Sequence, residues 1–139
     1  MMHGLDLTKL SSKYQVRRLT KEDIPMIYEV CLKNQQYYEY CGKQPTVERI
    51  ESDLRIAPPG IDISDKYYIG FFEDDTLVAV MDLIDGYPDE ESAFIGFFMM
   101  NMDFQGKGIG SLIVSEAFAY LKNKGFAVVG LGIDKDNPQ

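Results

Sequence analysis

The chain is poor in the residues most often used for nucleophilic and metal chemistry. Of 139 residues, one is histidine, two are cysteine and none is tryptophan. The single histidine, His3, lies in a polar N-terminal stretch. That excludes a Ser-His-Asp triad, a Cys-His dyad and a histidine-ligated metal site, and no metal is expected. Cys31 and Cys41 are too few for a disulfide framework and lack zinc-ligand spacing, which points to a reducing, cytoplasmic setting. No window approaches the ~20 consecutive apolar residues of a membrane span, and MMHGLDLTKLSSK lacks the apolar core of a signal peptide. Positive charge is in deficit as well: 14 Lys and Arg against 22 Asp and Glu leave a net charge of −8. Neither a nucleic-acid backbone nor an anionic membrane is therefore an expected partner.

What is present is the material for one hydrophobic core, with 45% apolar and 12% aromatic residues, enough for a single domain. Residues 1–13 read as a flexible polar leader and residues 14–139 as the domain. A strand over Tyr14 to Leu19 enters a helix through the capping run Thr20 to Asp23, with Ile24, Ile27, Tyr28 and Cys31 at helical spacing. A second helix follows Pro45-Thr46, with Val47, Ile50 and Leu54 on one face, and ends at Ala57-Pro58-Pro59-Gly60. The aromatic-rich segment YYEYCGKQ lies between them. Lys66 to Phe72 and Leu77 to Ile84 flank the turn Glu73 to Thr76 and form a β-hairpin. Ala93 to Met100 is a further strand, too apolar to have an exposed face. An amphipathic helix carries Ile109, Leu112, Ile113, Ala117, Tyr120 and Leu121 on its buried stripe. Phe126 to Ile133 is a fifth strand, reached by a helical crossover and therefore parallel to the fourth. The fold class is α/β with a mixed sheet. Asn137-Pro138 marks the start of a helix just where the chain stops, so a chain truncated at its C-terminus is expected.

Between the fourth strand and the third helix lies Gln105-Gly106-Lys107-Gly108-Ile109-Gly110-Ser111. Backbone N–H groups converge there with the positive end of a helix, and small residues allow an anion to approach the main chain. The alternative is a tight strand-to-helix turn that holds no ligand. The Walker A spacing fails, because Gly106-Lys107 is followed by Gly108 and position 101 is Asn. The dinucleotide fingerprint fails too, because the glycines alternate strictly. The pattern Q-x-x-G-x-G, in this order of elements, resembles the signature of the GNAT superfamily of N-acetyltransferases, and the resemblance covers most of the chain.

That resemblance implies a GNAT-like acyl-CoA N-acyltransferase fold that lacks the C-terminal helix and last strands. It implies acetyl-CoA as co-substrate, with its pyrophosphate on Gln105, Gly106, Lys107, Gly108, Ile109, Gly110 and Ser111 and its pantetheine arm along Phe98 and Met100. A further contact is implied for Asn137, which also reads as a helix cap. The reaction implied is direct transfer of an acetyl group, within a ternary complex, to a primary amine on a small molecule or peptide. The backbone N–H of Met100 is the implied donor to the thioester oxygen, and Tyr37, Tyr38, Tyr40 and Tyr87 are implied acceptor-site lining. Many family members place a carboxylate on the fourth strand, but Ala93 to Phe98 contains none. Asp82 is the leading substitute base, acting through water, with Asp85, Glu90 and Glu91 as weaker candidates. Flanked by Met81 and Leu83, Asp82 either faces solvent by strand alternation or sits in a cleft with a raised pKa. A CoA-binding module without turnover is the rival reading. An apolar fifth strand with an open edge makes a homodimer an expected state.

Overall fold

The computed structural model of the chain describes residues 5–33, 46–57, 60–87, 89–104 and 106–131. Five strands, β1 (Gln15–Arg18), β2 (Lys66–Glu73), β3 (Thr76–Asp85), β4 (Ser92–Met100) and β5 (Val128–Leu131), form one sheet in sequential order. The first four are antiparallel, and β5 runs parallel to β4 with Ser92 to Ile95 opposite Val128 to Leu131. The helices are α1 (Ile24–Lys33), α2 (Val47–Arg55) and α3 (Ile109–Asn123). The GNAT-like α/β mixed-sheet arrangement is the expected one, with β5 starting at Val128, two residues into the apolar run that announces it.

A sheet of such apolar strands must be covered on both faces. On one face α3 places Ile113, Ala117 and Leu121 against Val16, Ile69, Phe71, Met81 and Ile95. On the other, α1 and α2 place Ile24, Ile27, Val30, Cys31 and Ile50 against Tyr68, Phe72, Val80 and Met99. Two bulges adjust the alternation. Val78 is extra between β2 and β3, and Gly96 is extra where Asp82 pairs Phe97 but Leu83 pairs Ile95. The second bulge re-aims β4 just beyond its last described pairing with β5.

The α1 entry is built by charge and capping together. A 3-10 turn, Lys21–Asp23, leads into the helix, and the Asp23 carboxylate accepts from the Thr20 amide at 2.7 Å. Both oxygens of Asp23 are also held by the Arg17 guanidinium, at 2.9 and 3.0 Å. Pro25 falls in the first turn, where no hydrogen bond is lost. Residues 5–13, expected from composition to form a loose leader, instead pack on α3. Leu10 is fully buried, the Asp6 amide donates to the Tyr120 hydroxyl at 2.7 Å, and the Ser12 amide donates to Glu116. Glu116 and Tyr120 are four residues apart on α3 and so present one face to the segment.

Candidate functional site

β4 reaches the signature loop through one buried side chain. Asn101 is 4% exposed. Its amide donates to the Val78 carbonyl at 2.8 Å, its Nδ2 donates to the Leu77 carbonyl at 2.9 Å, and its Oδ1 accepts from the Asp103 amide at 3.0 Å. These bonds fasten the end of β4 to the start of β3 and begin the short 3-10 turn Met102–Phe104. They also fix the orientation of β4. Since the Asn101 amide points to β3, strand alternation directs the amides of Met100 and Phe98 to the opposite edge, the side of β5.

The loop that follows turns on two glycines in the left-handed region, Gly106 at φ 80° and Gly108 at φ 75°. A Cβ at either position would meet nothing within 4 Å, so the requirement is conformational and not spatial. Gly108 is the N-cap of α3, makes no side-chain cap bond, and the first turn contains no acidic residue. The early amides of α3 therefore have no intrahelical acceptor and no local carboxylate to satisfy them, and Lys107 adds positive charge. Gly110 seats the helix start on β4, where an added Cβ would lie 3.4 Å from the Met100 Cγ and 3.6 Å from Phe98. The loop and the first turn of α3 thus lie against the edge of β4 that faces β5, with Gly110 beside Met100 and Phe98. Their chemistry, neutral amides around a positive helix end, fits the diphosphate of acetyl-CoA.

Asp82 stands apart from that run. The side chains of Phe98 and Met100 belong to the α3 face, whereas Asp82 lies between Tyr68 and Phe97 in register, both on the α1/α2 face. Its side chain is 16% exposed and pairs with the Lys66 ammonium at 3.3 Å through Oδ2. Among the described residues, Oδ1 is buried without a hydrogen-bond partner. Burial pushes the carboxyl up to about 6, against the opposing pull of Lys66. The solvent-facing alternative for Asp82 is therefore not the one realised. Tyr87 is half-buried and meets Phe94 edge-to-face, with centroids 5.4 Å apart. Asp85 is the last residue of β3 and is buried, while Glu90 and Glu91 are exposed. Gln105, Asn137, Tyr37, Tyr38, Tyr40 and Cys41 lie outside the described residues. A separate cleft of about 610 Å3 opens beside edge strand β1 between Tyr14, Arg17, Met26 and Phe72, and no expected site residue lines it.

Sequence reading did not single out Lys66, Asn101 or the Gly96 bulge. Lys66 had a visible signal: a lone cation at the head of an otherwise apolar strand, KYYIGFF, needs a buried partner.

Residues 27–139 match the model of the acetyltransferase (GNAT) family. The chain belongs to the GNAT family of acetyltransferases. Solved structures share the fold. An acetyltransferase from Thermus thermophilus is 23% identical, with 77% of this chain and 68% of that chain covered and a TM-score of 0.64. The PaiA N-acetyltransferase from Thermoplasma acidophilum in complex with coenzyme A is 20% identical over 90% and 82% of the two chains, with a TM-score of 0.60. The ribosomal-protein-S18-alanine N-acetyltransferase from Escherichia coli is 13% identical over 90% and 70%, with a TM-score of 0.62. No curated protein sequence matches. Among the described residues of this GNAT enzyme, no helix is long and apolar enough to cross a membrane, and no three His, Cys, Asp or Glu side chains cluster as metal ligands.

Proposed function

We propose that the protein transfers an acetyl group from acetyl-CoA directly to a primary amine within a ternary complex. The observation that carries this is the pair of left-handed glycines ahead of an uncapped α3, packed against the β5-facing edge of β4. In this reading Gly106, Lys107, Gly108, Ile109, Gly110 and Ser111, together with Gln105, hold the pyrophosphate. The β4 main chain at Phe98 and Met100 aligns the pantetheine arm, and Asn137 adds a contact.

Acetyl-CoA supplies an acyl thioester, whose carbonyl carbon is open to attack by a neutral amine. The Met100 amide donates to the thioester oxygen where negative charge develops. Asp82 accepts a proton from the incoming amine through water, taking the place of the strand-four carboxylate that Ala93 to Phe98 lacks; as the C–N bond forms the C–S bond breaks, and CoA leaves as a thiolate that takes up a proton from water. Tyr87 against Phe94 forms part of the acceptor wall, completed by Tyr37 and Tyr38. The net charge of −8 favours a cationic acceptor, either a small molecule or a peptide amine. The N-acetyltransferase from T. acidophilum, solved with coenzyme A, and the E. coli enzyme named for alanine of ribosomal protein S18 support both the cofactor and the amine class.

A free-thiol release assay with acetyl-CoA and a panel of primary amines tests the reading. Thiol is expected only when an amine is present. Binding of acetyl-CoA without release under any amine would leave a non-catalytic CoA-binding module and overturn it.

A further inference from the structure

Lys66 is 7% exposed. An ammonium that deep must have all three of its donors satisfied. Two are taken by main-chain carbonyls at the end of α2, those of Asp53 and Ile56. The third faces Asp82 Oδ2 at 3.3 Å. Lys66 and Asp82 sit on adjacent strands, with Lys66 opposite Ile84 and Tyr68 opposite Asp82. We propose that Lys66 is a positioning residue, sharing one buried ammonium between the carbonyl end of α2 and the Asp82 carboxylate and so fixing where that carboxylate stands on the sheet. The inference rests on the proton-accepting role proposed above for Asp82.

The arrangement does two things for the carboxylate. It clamps Oδ2, so that Oδ1 is the oxygen with bonding capacity to spare. It also opposes the cost of burying the negative charge, since an opposite charge within ~4–6 Å favours the ionised form. The charged groups acting on Asp82 among the described residues are Lys66 from β2, which favours its ionised form, and Asp53 from α2, which disfavours it. Asp53 is itself influenced by Lys66 and Arg49. Tyr68 across β2 and Phe97 across β4 bring no charge to it at neutral pH. A helix-capping lysine could have been satisfied by carbonyls and water alone. The same ammonium here ties the end of α2 to Asp82 and opposes the burial that raises the proton affinity of the carboxyl.

The test is the pH profile of kcat/KM with acetyl-CoA and an amine that gives thiol release. Below about pH 6 Asp82 takes up a proton, so the wild-type rate falls on that side, and Asp82→Asn removes the limb. Lys66→Met is expected to move the limb upward by about one pH unit or more, and Lys66→Arg, which keeps a cation, to move it less. An unmoved limb in Lys66→Met, with Asp82→Asn still abolishing it, overturns the positioning role and leaves Asp82 as the base. A limb that survives Asp82→Asn overturns the Asp82 reading and the positioning role together. Should Lys66→Met fail to fold, the wild-type protein decides. In labelled protein, the Lys66 Nζ nitrogen resonance is expected to shift with the same midpoint as the Asp82 carboxyl carbon, and independent titration of the two overturns the proposal.

Discussion

Gly108 shows how one residue can matter for a ligand while making no side-chain contact. At φ 75° any residue with a Cβ is strained by about 1–2 kcal/mol, and relief would turn the amides of the loop away from their common direction. Gly108→Ala is expected to raise the KM for acetyl-CoA by about tenfold or more, with kcat at saturation little changed. Steady-state kinetics against acetyl-CoA at a fixed amine concentration measures this. An unchanged KM would show that the conformation of this glycine plays no part in binding. Asp82 is the contrasting residue. Its identity is plain in the sequence, but its environment depends on Lys66, sixteen positions earlier, and on the end of α2. Strand alternation around Met81 and Leu83 could not decide between a solvent-facing carboxylate and a buried one, because β3 is covered on both faces.

At the level of elements, caps and breakers were the most legible signals. Thr46 accepts from the Arg49 amide at 3.0 Å and opens α2 where the Pro45-Thr46 pair placed it. Thr20 to Asp23 opens α1, although the turn itself is 3-10. The part of this entry invisible to local reading is Arg17, which lies on β1 and closes on Asp23 from outside the helix. That bond and the capping contacts hold the Asp23 carboxyl below the usual carboxylate range, against the opposing effect of burial. Stability contributed by a depressed carboxylate is present above its unfolded pKa of ~3.9 and is lost as pH falls through the lower folded value. Asp23→Asn is thus expected to lower the thermal midpoint at neutral pH, at a cost of about 1–2 kcal/mol. The difference from wild type should shrink below about pH 3.9. A difference constant from pH 7 to pH 2, followed by circular dichroism, would contradict that assignment. Elements that depend on distant partners were less legible: residues 5–13 look polar in isolation and find their place against β1 and α3, where Tyr120 and Glu116 accept from the Asp6 and Ser12 amides.

For the whole molecule, the succession of a strand, two helices, a hairpin, a strand, a glycine loop, a helix and a parallel strand could be read because each boundary has its own punctuation. Pro58-Pro59-Gly60, the Asp74-Asp75 turn and Gly125 are examples. The glycine loop could be read for a further reason: its spacing excludes two other phosphate-binding patterns and keeps one. The two bulges could not be read, since an extra residue in a strand leaves the hydrophobic pattern nearly intact. One of them, at Gly96, lies next to the Asp82–Phe97 pair and so shapes the region between the proposed base and the proposed thioester site.

Main-chain donors at Gly106 to Ser111 are proposed to grip the diphosphate and thereby hold the thioester carrier against β4. Isothermal titration calorimetry of the wild-type protein, with acetyl-CoA in one series and acetyl-pantetheine in the other, tests this most directly, because the second ligand keeps the thioester and the arm but lacks the pyrophosphate and the 3′-phosphoadenosine it carries. Several charge-assisted hydrogen bonds separate the two ligands, so acetyl-CoA is expected to bind at least about a hundredfold more tightly. Equal affinities for the two would contradict the proposed role of the loop.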